Sequence, residues 1–341
     1  MRRNRVLIFS LLLAMILVTG RSFAWAKDTQ GSASGAVMAE IGRIGMAAKG
    51  TVGLAAIHLE TGHRVDSRAD EFFPMASTVK VAVAAKILDM ADKGQISLTT
   101  PISLEQSEMA PDGPLGDIRW RPGLSYPASD LLELMIATSD NTSTDVLFRV
   151  AGGPAAAHAW LQGLGLQGIR PSRFIRELLR DVLSIPGPAS PTMSLAEQFR
   201  KMSPKQAAER RAKAYRASPA YDADLRDQAS PNAMLGLLCK IWLAEGISRE
   251  ARSALLSVME RSTTGLKRIR GRLPAGTVVA DKTGTLAGSV NDVGYVTLPD
   301  GKGHIAIAVF VKGSEAPLAT RETVIADISR LLYDYFLISS R

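Results

Sequence analysis

The strand signals of this chain lie at its two ends, and that separation constrains the fold more than any other feature. Near the start, Gly50-Thr51-Val52-Gly53-Leu54-Ala55-Ala56-Ile57-His58-Leu59 is an apolar run of strand length. The turn Glu60-Thr61-Gly62-His63 follows, and a second short strand is expected after it. The next β signals are Gly276–Thr283, Val293–Leu298 and His304–Lys312, with Pro299-Asp300-Gly301-Lys302 turning the last two into a hairpin. Between the two groups the apolar residues recur at helical spacing over Ser77–Lys93, Ala128–Ile136, Ser143–Val150, Pro154–Leu161, Asn232–Ala244 and Ser248–Glu260. Further helices are expected at Ala36–Lys49 and Thr320–Phe336. A lone hairpin is marginal in water, so strands from both ends must pair with one another. The pattern predicts an α+β fold, an α/β sandwich plus an all-helical subdomain, with an antiparallel sheet built from both chain ends. The sheet part covers about 36–75 and 262–341, and the helical part about 76–261, within one domain over 27–341. A cleft is expected where the two parts meet.

The first 26 residues are set apart from this fold. Arg2, Arg3 and Arg5 precede the apolar run Val6–Gly20, and Ala24-Trp25-Ala26 gives a small-x-small cleavage pattern. The run is about 15 residues, short of the roughly 20 that a membrane span requires. It reads as a cleaved signal peptide, leaving an exported chain with no stable membrane anchor; the alternative is an uncleaved N-terminal anchor. The formal charge of +8 includes Arg2, Arg3, Arg5 and Arg21 of this leader, which holds no acid. The remainder is too mildly basic to argue for nucleic acid as a partner. Cys239 is the single cysteine, so no intrachain disulfide forms; in its apolar run it reads as a small buried hydrophobe. His58, His63, His158 and His304 are scattered, with no ligand spacing, so no metal is expected. No cofactor is implied, and the protein is expected to be a monomer.

One stretch departs from the rest. Residues 183–227 carry Pro186, Pro188, Pro191, Pro204 and Pro219, and between Arg200 and Arg216 basic residues outnumber the single acid, Glu209. This reads as a surface insertion, partly helical. It is either a solvated decoration or a contact for an anionic partner such as a cell-wall polymer.

Three short segments carry chemistry. Ser77-Thr78-Val79-Lys80 opens an apolar helix, where positions i and i+3 share a face. A desolvated lysine there loses its proton readily and serves as base for the serine. Ser139-Asp140-Asn141 follows a helical run. Its hydroxyl is suited to relay a proton, and Asn141 to donate to a substrate carbonyl and accept from Lys80. Read alone, the same tripeptide is an ordinary helix cap. Lys282-Thr283-Gly284-Thr285 ends an apolar strand. Lys282 would polarise Ser139, the Thr283 and Thr285 hydroxyls would bind a carboxylate, and Gly284 would let a ligand approach the backbone. The N–H groups of Ser77 and Thr285 would form an oxyanion hole.

In this order, on a helix, a loop and a strand, the three segments resemble those of class A β-lactamases and their penicillin-binding relatives. Phe73-Pro74-Met75-Ala76-Ser77 is similar to the family's approach to its nucleophile. So are Ser139-Asp140-Asn141-Thr142 running on to Leu147 and Gly152-Gly153-Pro154, and Asn291-Asp292-Val293-Gly294 after Lys282. The resemblance spans Ala36 to Phe336 apart from the proline-rich insertion. It implies a β-lactamase/transpeptidase-like fold, a serine nucleophile at Ser77, and opening of the β-lactam ring through an acyl-enzyme in the periplasm, contributing to antibiotic resistance. The alternative is a D-alanyl-D-alanine peptidase or other cell-wall acyl-transfer enzyme acting on cell-wall peptides and releasing β-lactams slowly. A non-catalytic binder of cell-wall fragments is a third reading, against which the intact Ser77, Lys80, Ser139 and Lys282 argue.

Two departures from the family stand out. The resemblance implies a water-activating Glu in an Arg-aromatic-Glu-x-Glu-Leu-Asn stretch, whereas this chain reads Arg173-Phe174-Ile175-Arg176-Glu177-Leu178-Leu179. Ile175 stands where the Glu belongs and Leu179 where the Asn belongs, and an isoleucine is no base. Either Glu177 takes the role by a two-residue slip, or Asp181 or Glu197 serves, or deacylation is slow. In addition, Asn291 occupies a place where some members carry a carboxylate-binding Arg, for which Arg321 is the expected substitute.

Overall fold

The computed structural model describes residues 33–111, 124–186 and 193–339. The leader read over residues 1–26 lies outside the described residues. Five antiparallel strands form the main sheet: β1 (Thr51–His58), β2 (Arg64–Ser67), β3 (Val279–Leu286), β4 (Ser289–Thr297) and β5 (His304–Lys312). Their order is β2-β1-β5-β4-β3, so the first strand pairs directly with the last, from Thr51 opposite Lys312 to His58 opposite Ile305. The sheet is built from both chain ends, as the distribution of strand signals predicted.

The uniform apolarity of these strands follows from burial on both faces. Side chains alternate across a strand, and along β5 Ala306, Ala308 and Phe310 enter one core while Ile305, Ile307, Val309 and Val311 enter another. The second core lies under the terminal helices Ala33–Gly45 and Leu318–Ser339, which supply Val37, Ile41, Val324, Ile328 and Phe336. The first, larger core is shared with the inserted helices. Helix Val79–Asp92 is central to it, buried on almost every side. Its run of Val, Ala, Ile and Leu is therefore apolar all round rather than amphipathic.

Element boundaries moved where side chains redirect the backbone. The helix expected from Ser77 begins with a 3-10 turn, Ala76–Thr78, and becomes α-helical at Val79. The strand expected over Gly276–Thr283 is Val279–Leu286 instead. Thr277 bonds Pro274 O through both its N–H, at 3.1 Å, and its hydroxyl, at 2.8 Å, so the segment before Val279 is a turn. Lys282, Thr283 and Gly284 consequently sit within β3, at the edge of the sheet, and not at a strand end.

The proline-rich insertion is more than decoration. Its described part forms helices Leu195–Lys201, Pro204–Lys213 and Pro219–Ala223, the first two opened by Ser–Glu and Ser–Gln capping boxes. Leu195, Phe199 and Tyr221 are buried. At its base Arg173 Nε bonds Asp227 Oδ2 at 2.6 Å, and Arg173 also pairs with Asp181 and Asp224. The Asp227 carbonyl accepts from Met75 N at 2.9 Å, fastening the insertion to the backbone before Ser77.

Candidate active site

Ser77 lies on the 3-10 turn that leads into helix Val79–Asp92, directly after Ala76, whose φ is +47°. That left-handed conformation costs a non-glycine residue roughly 1 kcal/mol and turns the chain sharply before the serine. Asn291 braces the approach. Its side-chain amide donates to Pro74 O at 2.8 Å and Met75 O at 3.0 Å. Gly284 packs so closely that a Cβ there would lie 2.6 Å from Met75 O and 3.2 Å from Ser77 N. Glycine is what allows β3 to lie against the Ser77 backbone.

Lys80, one turn along the helix, is wholly buried. Its Nζ bonds Ser139 O at 2.6 Å, Asn141 Oδ1 at 2.8 Å and Ser139 Oγ at 3.2 Å. Burial, aided by the nearby charge of Lys282, pushes this amine well below the usual lysine range, against the pull of Asp140 and Asp145. A neutral amine has two donors and one lone pair. In the neutral form Ser139 O and Asn141 Oδ1 take the donors, with Asp140 O further off at 3.4 Å, and the lone pair is left for a hydroxyl proton. Lys282 approaches from the sheet side, with Nζ 2.9 Å from Ser139 Oγ. Burial brings it down to about 7, with Asp281 and Asp292 opposing. The Ser139 hydroxyl is thus suspended between two amines whose protons are loosely held.

Ser139 is itself left-handed, φ +59°, at the join between helices Ala128–Ala137 and Asn141–Val150. The cap reading holds for its neighbour, since Asp140 Oδ1 accepts from Ser143 N at 2.6 Å. Asn141 keeps its accepting role toward Lys80, while its Nδ2 donates to Pro111 O at 3.0 Å. Ser77, Ser139, Asn141, Thr283 and Thr285 line one cavity of about 390 Å³.

The cationic end of that cavity was not read from the sequence. Arg268 lines it, donating to Thr285 Oγ1 at 2.6 Å, to Asn291 O at 2.9 Å and to Gly284 O at 3.1 Å. Thr283 Oγ1 shares a 2.8 Å hydrogen bond with Thr264 Oγ1. No local pattern separates Arg268 from Arg270 and Arg272, and each has an acid beside it, Glu322 at 3.3 Å, Asp281 and Asp327 respectively; what separates Arg268 is its place in the cavity lining. Arg321, expected here, instead donates to Tyr215 O at 3.0 Å and is not among the residues lining the cavity. Asn291 is likewise a brace and not a carboxylate contact.

Residues 36–336 match the sequence model described as the β-lactamase enzyme family. The chain belongs to that family. This β-lactamase is similar to the extended-spectrum β-lactamase PER-1 of Pseudomonas aeruginosa, 28% identical over 78% of this chain and 76% of the relative. It is also similar to the carbapenem-hydrolyzing β-lactamase KPC of Klebsiella oxytoca, 28% identical over 83% of each. Among solved structures, a β-lactamase from Chitinophaga pinensis superposes with a TM-score of 0.72 at 31% identity, covering 88% of this chain and 99% of that one. The TLA-3 extended-spectrum β-lactamase does so at 0.71 and 28%, covering 89% and 99%. The fold is that of class A β-lactamases.

The three candidate water-activating carboxylates of this β-lactamase are committed elsewhere. Glu177 Oε2 accepts from Phe174 N at 3.0 Å, capping the helix Ile175–Leu183 of which it is a part. Asp181 pairs with Arg173 at 2.7 Å, and Glu197 caps its own helix at Ser194 while accepting from Gln106. The two-residue slip fails for a structural reason. Asp145 receives the N–H groups of Ile175 and Arg176 at 2.6 and 3.0 Å, which pins the register of that helix. Ile175 and Leu179 therefore face the cavity beside Ser77, and no Asp or Glu of the described residues lines that cavity.

Proposed function

We propose that this protein opens β-lactam rings by acyl transfer to Ser77. Ser77 Oγ gives its proton to Lys80 and attacks the lactam carbonyl carbon. The N–H groups of Ser77 and Thr285 receive the negative charge that develops on oxygen. As the C–N bond breaks, Ser139 passes a proton to the nitrogen and is reprotonated from the adjoining amines. Arg268, with the Thr283 and Thr285 hydroxyls, holds the substrate carboxylate. The observation that carries this reading is the Ser139 hydroxyl held at 3.2 Å and 2.9 Å from two depressed amines in the cleft that also exposes Ser77.

Water then releases the acyl group, with Lys80 as the available base. The apolar side chains at 175 and 179 make this the slow half of the cycle. Time-resolved intact-mass spectrometry with benzylpenicillin tests the scheme. The expected result is a burst of about one equivalent of penicilloyl adduct, followed by slower steady-state hydrolysis. Ser77→Ala should carry no adduct at all while its thermal unfolding stays near that of the parent; an adduct on that variant would refute the assignment.

A second reading, a penicillin-binding D-alanyl-D-alanine peptidase, draws on the same apolar substitution. It predicts the burst with negligible turnover, together with release of D-alanine from a cell-wall peptide. For either reaction the site of action is the periplasm, and the protein works there as a monomer freed of its leader. The described residues contain no helix long and apolar enough to cross a membrane. N-terminal sequencing of exported protein should begin at Lys27.

A further inference from the structure

The insertion carries a charge imbalance that acyl transfer at Ser77 does not use. Arg200 to Arg216 holds seven basic residues against one acid, Glu209. Arg200, Lys201, Lys205, Arg211, Lys213 and Arg216 are exposed. Among the described residues none of the seven forms an ion pair, whereas elsewhere Arg149, Arg173, Arg226, Arg261 and Arg270 each meet a carboxylate. Two of the seven have a structural role. Arg210 donates to Leu183 O at 3.1 Å and Lys213 to Ser184 Oγ at 3.0 Å, at the C-terminal end of helix Ile175–Leu183, where a cation is favoured. Burial explains none of the rest, since helix Pro204–Lys213 buries no residue. Each helix end here supplies about half a negative charge. With Glu209, and with Glu197 one turn before Arg200, these ends leave roughly half of the positive charge unbalanced.

Cations crowded on one surface repel one another, and a docked polyanion relieves that repulsion while releasing its own condensed counterions. The form of the patch selects the partner. Helix Pro204–Lys213 exposes polar side chains, Pro204 and Ala208, but no aromatic or large aliphatic side chain to enter a bilayer. Its charges run along about 15 Å of helix and are not gathered round one pocket, which suits repeated charged groups in place of a single small anion. The surface also adjoins the cleft. Arg211 and Tyr215 line the space beside Ser77, and Ala214 O accepts from Ala287 N at 2.7 Å, just past the end of β3. We propose that helices Leu195–Lys201 and Pro204–Lys213, with Arg216, form a docking surface for a linear anionic polymer bearing phosphate or carboxylate groups at regular intervals. The proposal stands apart from Ser77 acylation, because the cations that carry it are not those of the reaction.

The test titrates the protein into fluorescently labelled polyphosphate and, separately, labelled poly-L-glutamate, with binding read by anisotropy between about 50 and about 200 mM salt. The logarithm of the dissociation constant should rise with the logarithm of salt at a slope of about 2 to 3, and the tighter polymer names the charged group. Lys201→Glu/Lys205→Glu should weaken binding by about tenfold or more at the lowest salt and flatten the slope by about one. Arg249→Glu/Lys302→Glu makes the same change in net charge on exposed residues outside the insertion, Lys302 being in the turn at the other end of β4 from Ala287. That variant should bind within about twofold of the parent. None of the four side chains forms an ion pair among the described residues, so both variants should unfold at the parent's temperature. Equal losses in the two variants would reduce the effect to net charge and overturn the patch, as would failure of both polymers to bind at the lowest salt. Tighter binding to phosphatidylglycerol vesicles than to either polymer would overturn the polymer as partner and assign the surface to a bilayer.

Discussion

At the scale of single residues the site is an exercise in loosening protons. Lys80 and Lys282 are ordinary lysines in sequence, and desolvation is what separates them from the surface ones. With Lys282 brought to about 7, it carries its charge below that pH and loses it above. If its charge draws in an anionic β-lactam, acylation efficiency should fall as pH rises through about 7. Lys282→Arg keeps a cation that does not titrate in this range. Its pH profile of adduct formation should lose that falling limb, at a lower maximum; a limb that persists unchanged would assign the titration to another group. The residues also show where sequence reading stops. Ser77, Lys80, Ser139 and Lys282 were legible because each sits in a short segment of definite spacing. Arg268 was not, because its distinction is the burial and strand-crossing bonds that surround it and not its neighbours in the chain.

Elements supply the geometry that those residues need. Helix Ile175–Leu183 is held in register by Asp145, and this directs Ile175 rather than Glu177 toward Ser77. Desolvation pushes the buried Asp145 carboxyl up to about 7, against the guanidinium and N–H groups that favour its charge. Ile175→Glu would place a carboxylate where the family keeps one. The expected outcome is faster loss of the penicilloyl adduct, by at least tenfold if general-base assistance of the usual size is restored. An unchanged lifetime would show that water is shut out of that corner. The base of the insertion is a second element-scale feature. Asp227 accepts from Ser172 N, Arg173 N and Arg173 Nε, and removing it strands part of a buried guanidinium. Asp227→Ala should cost about 3 kcal/mol in chemical denaturation, because the charge left behind is desolvated. A loss within experimental scatter would mean Asp181 and Asp224 suffice for Arg173.

The whole molecule is organised by one pairing, that of β1 with β5, since it closes the sheet across the chain's full length. Phe310 pairs with Gly53 there and is fully buried, with its ring centroid 5.9 Å from that of Phe73. Phe73 in turn precedes the braced segment that ends at Ser77. Phe310→Ala should lower unfolding free energy by about 3–5 kcal/mol. The denaturation midpoint should move with little change in slope, if the sheet and the helical region unfold together. A second transition appearing in that variant would show instead that the helical region holds on its own.

The sequence by itself determined the architecture and singled out the candidate reactive groups. Strand signals at both ends and helical periodicity between them leave few ways to bury the apolar surface, and paired apolar faces are written residue by residue along each element. Chemical potential also belongs to residue type, so a serine one helical turn from a lysine declares itself. What tertiary structure alone decided was how those groups are tuned and which neighbours they meet. The depressed amines, the choice of Arg268 over Arg321, the retirement of Glu177 to a helix cap and the apolar wall beside Ser77 all arise from segments far apart in the chain. Desolvation and contact are properties of the packed interior, and no local window of sequence contains them.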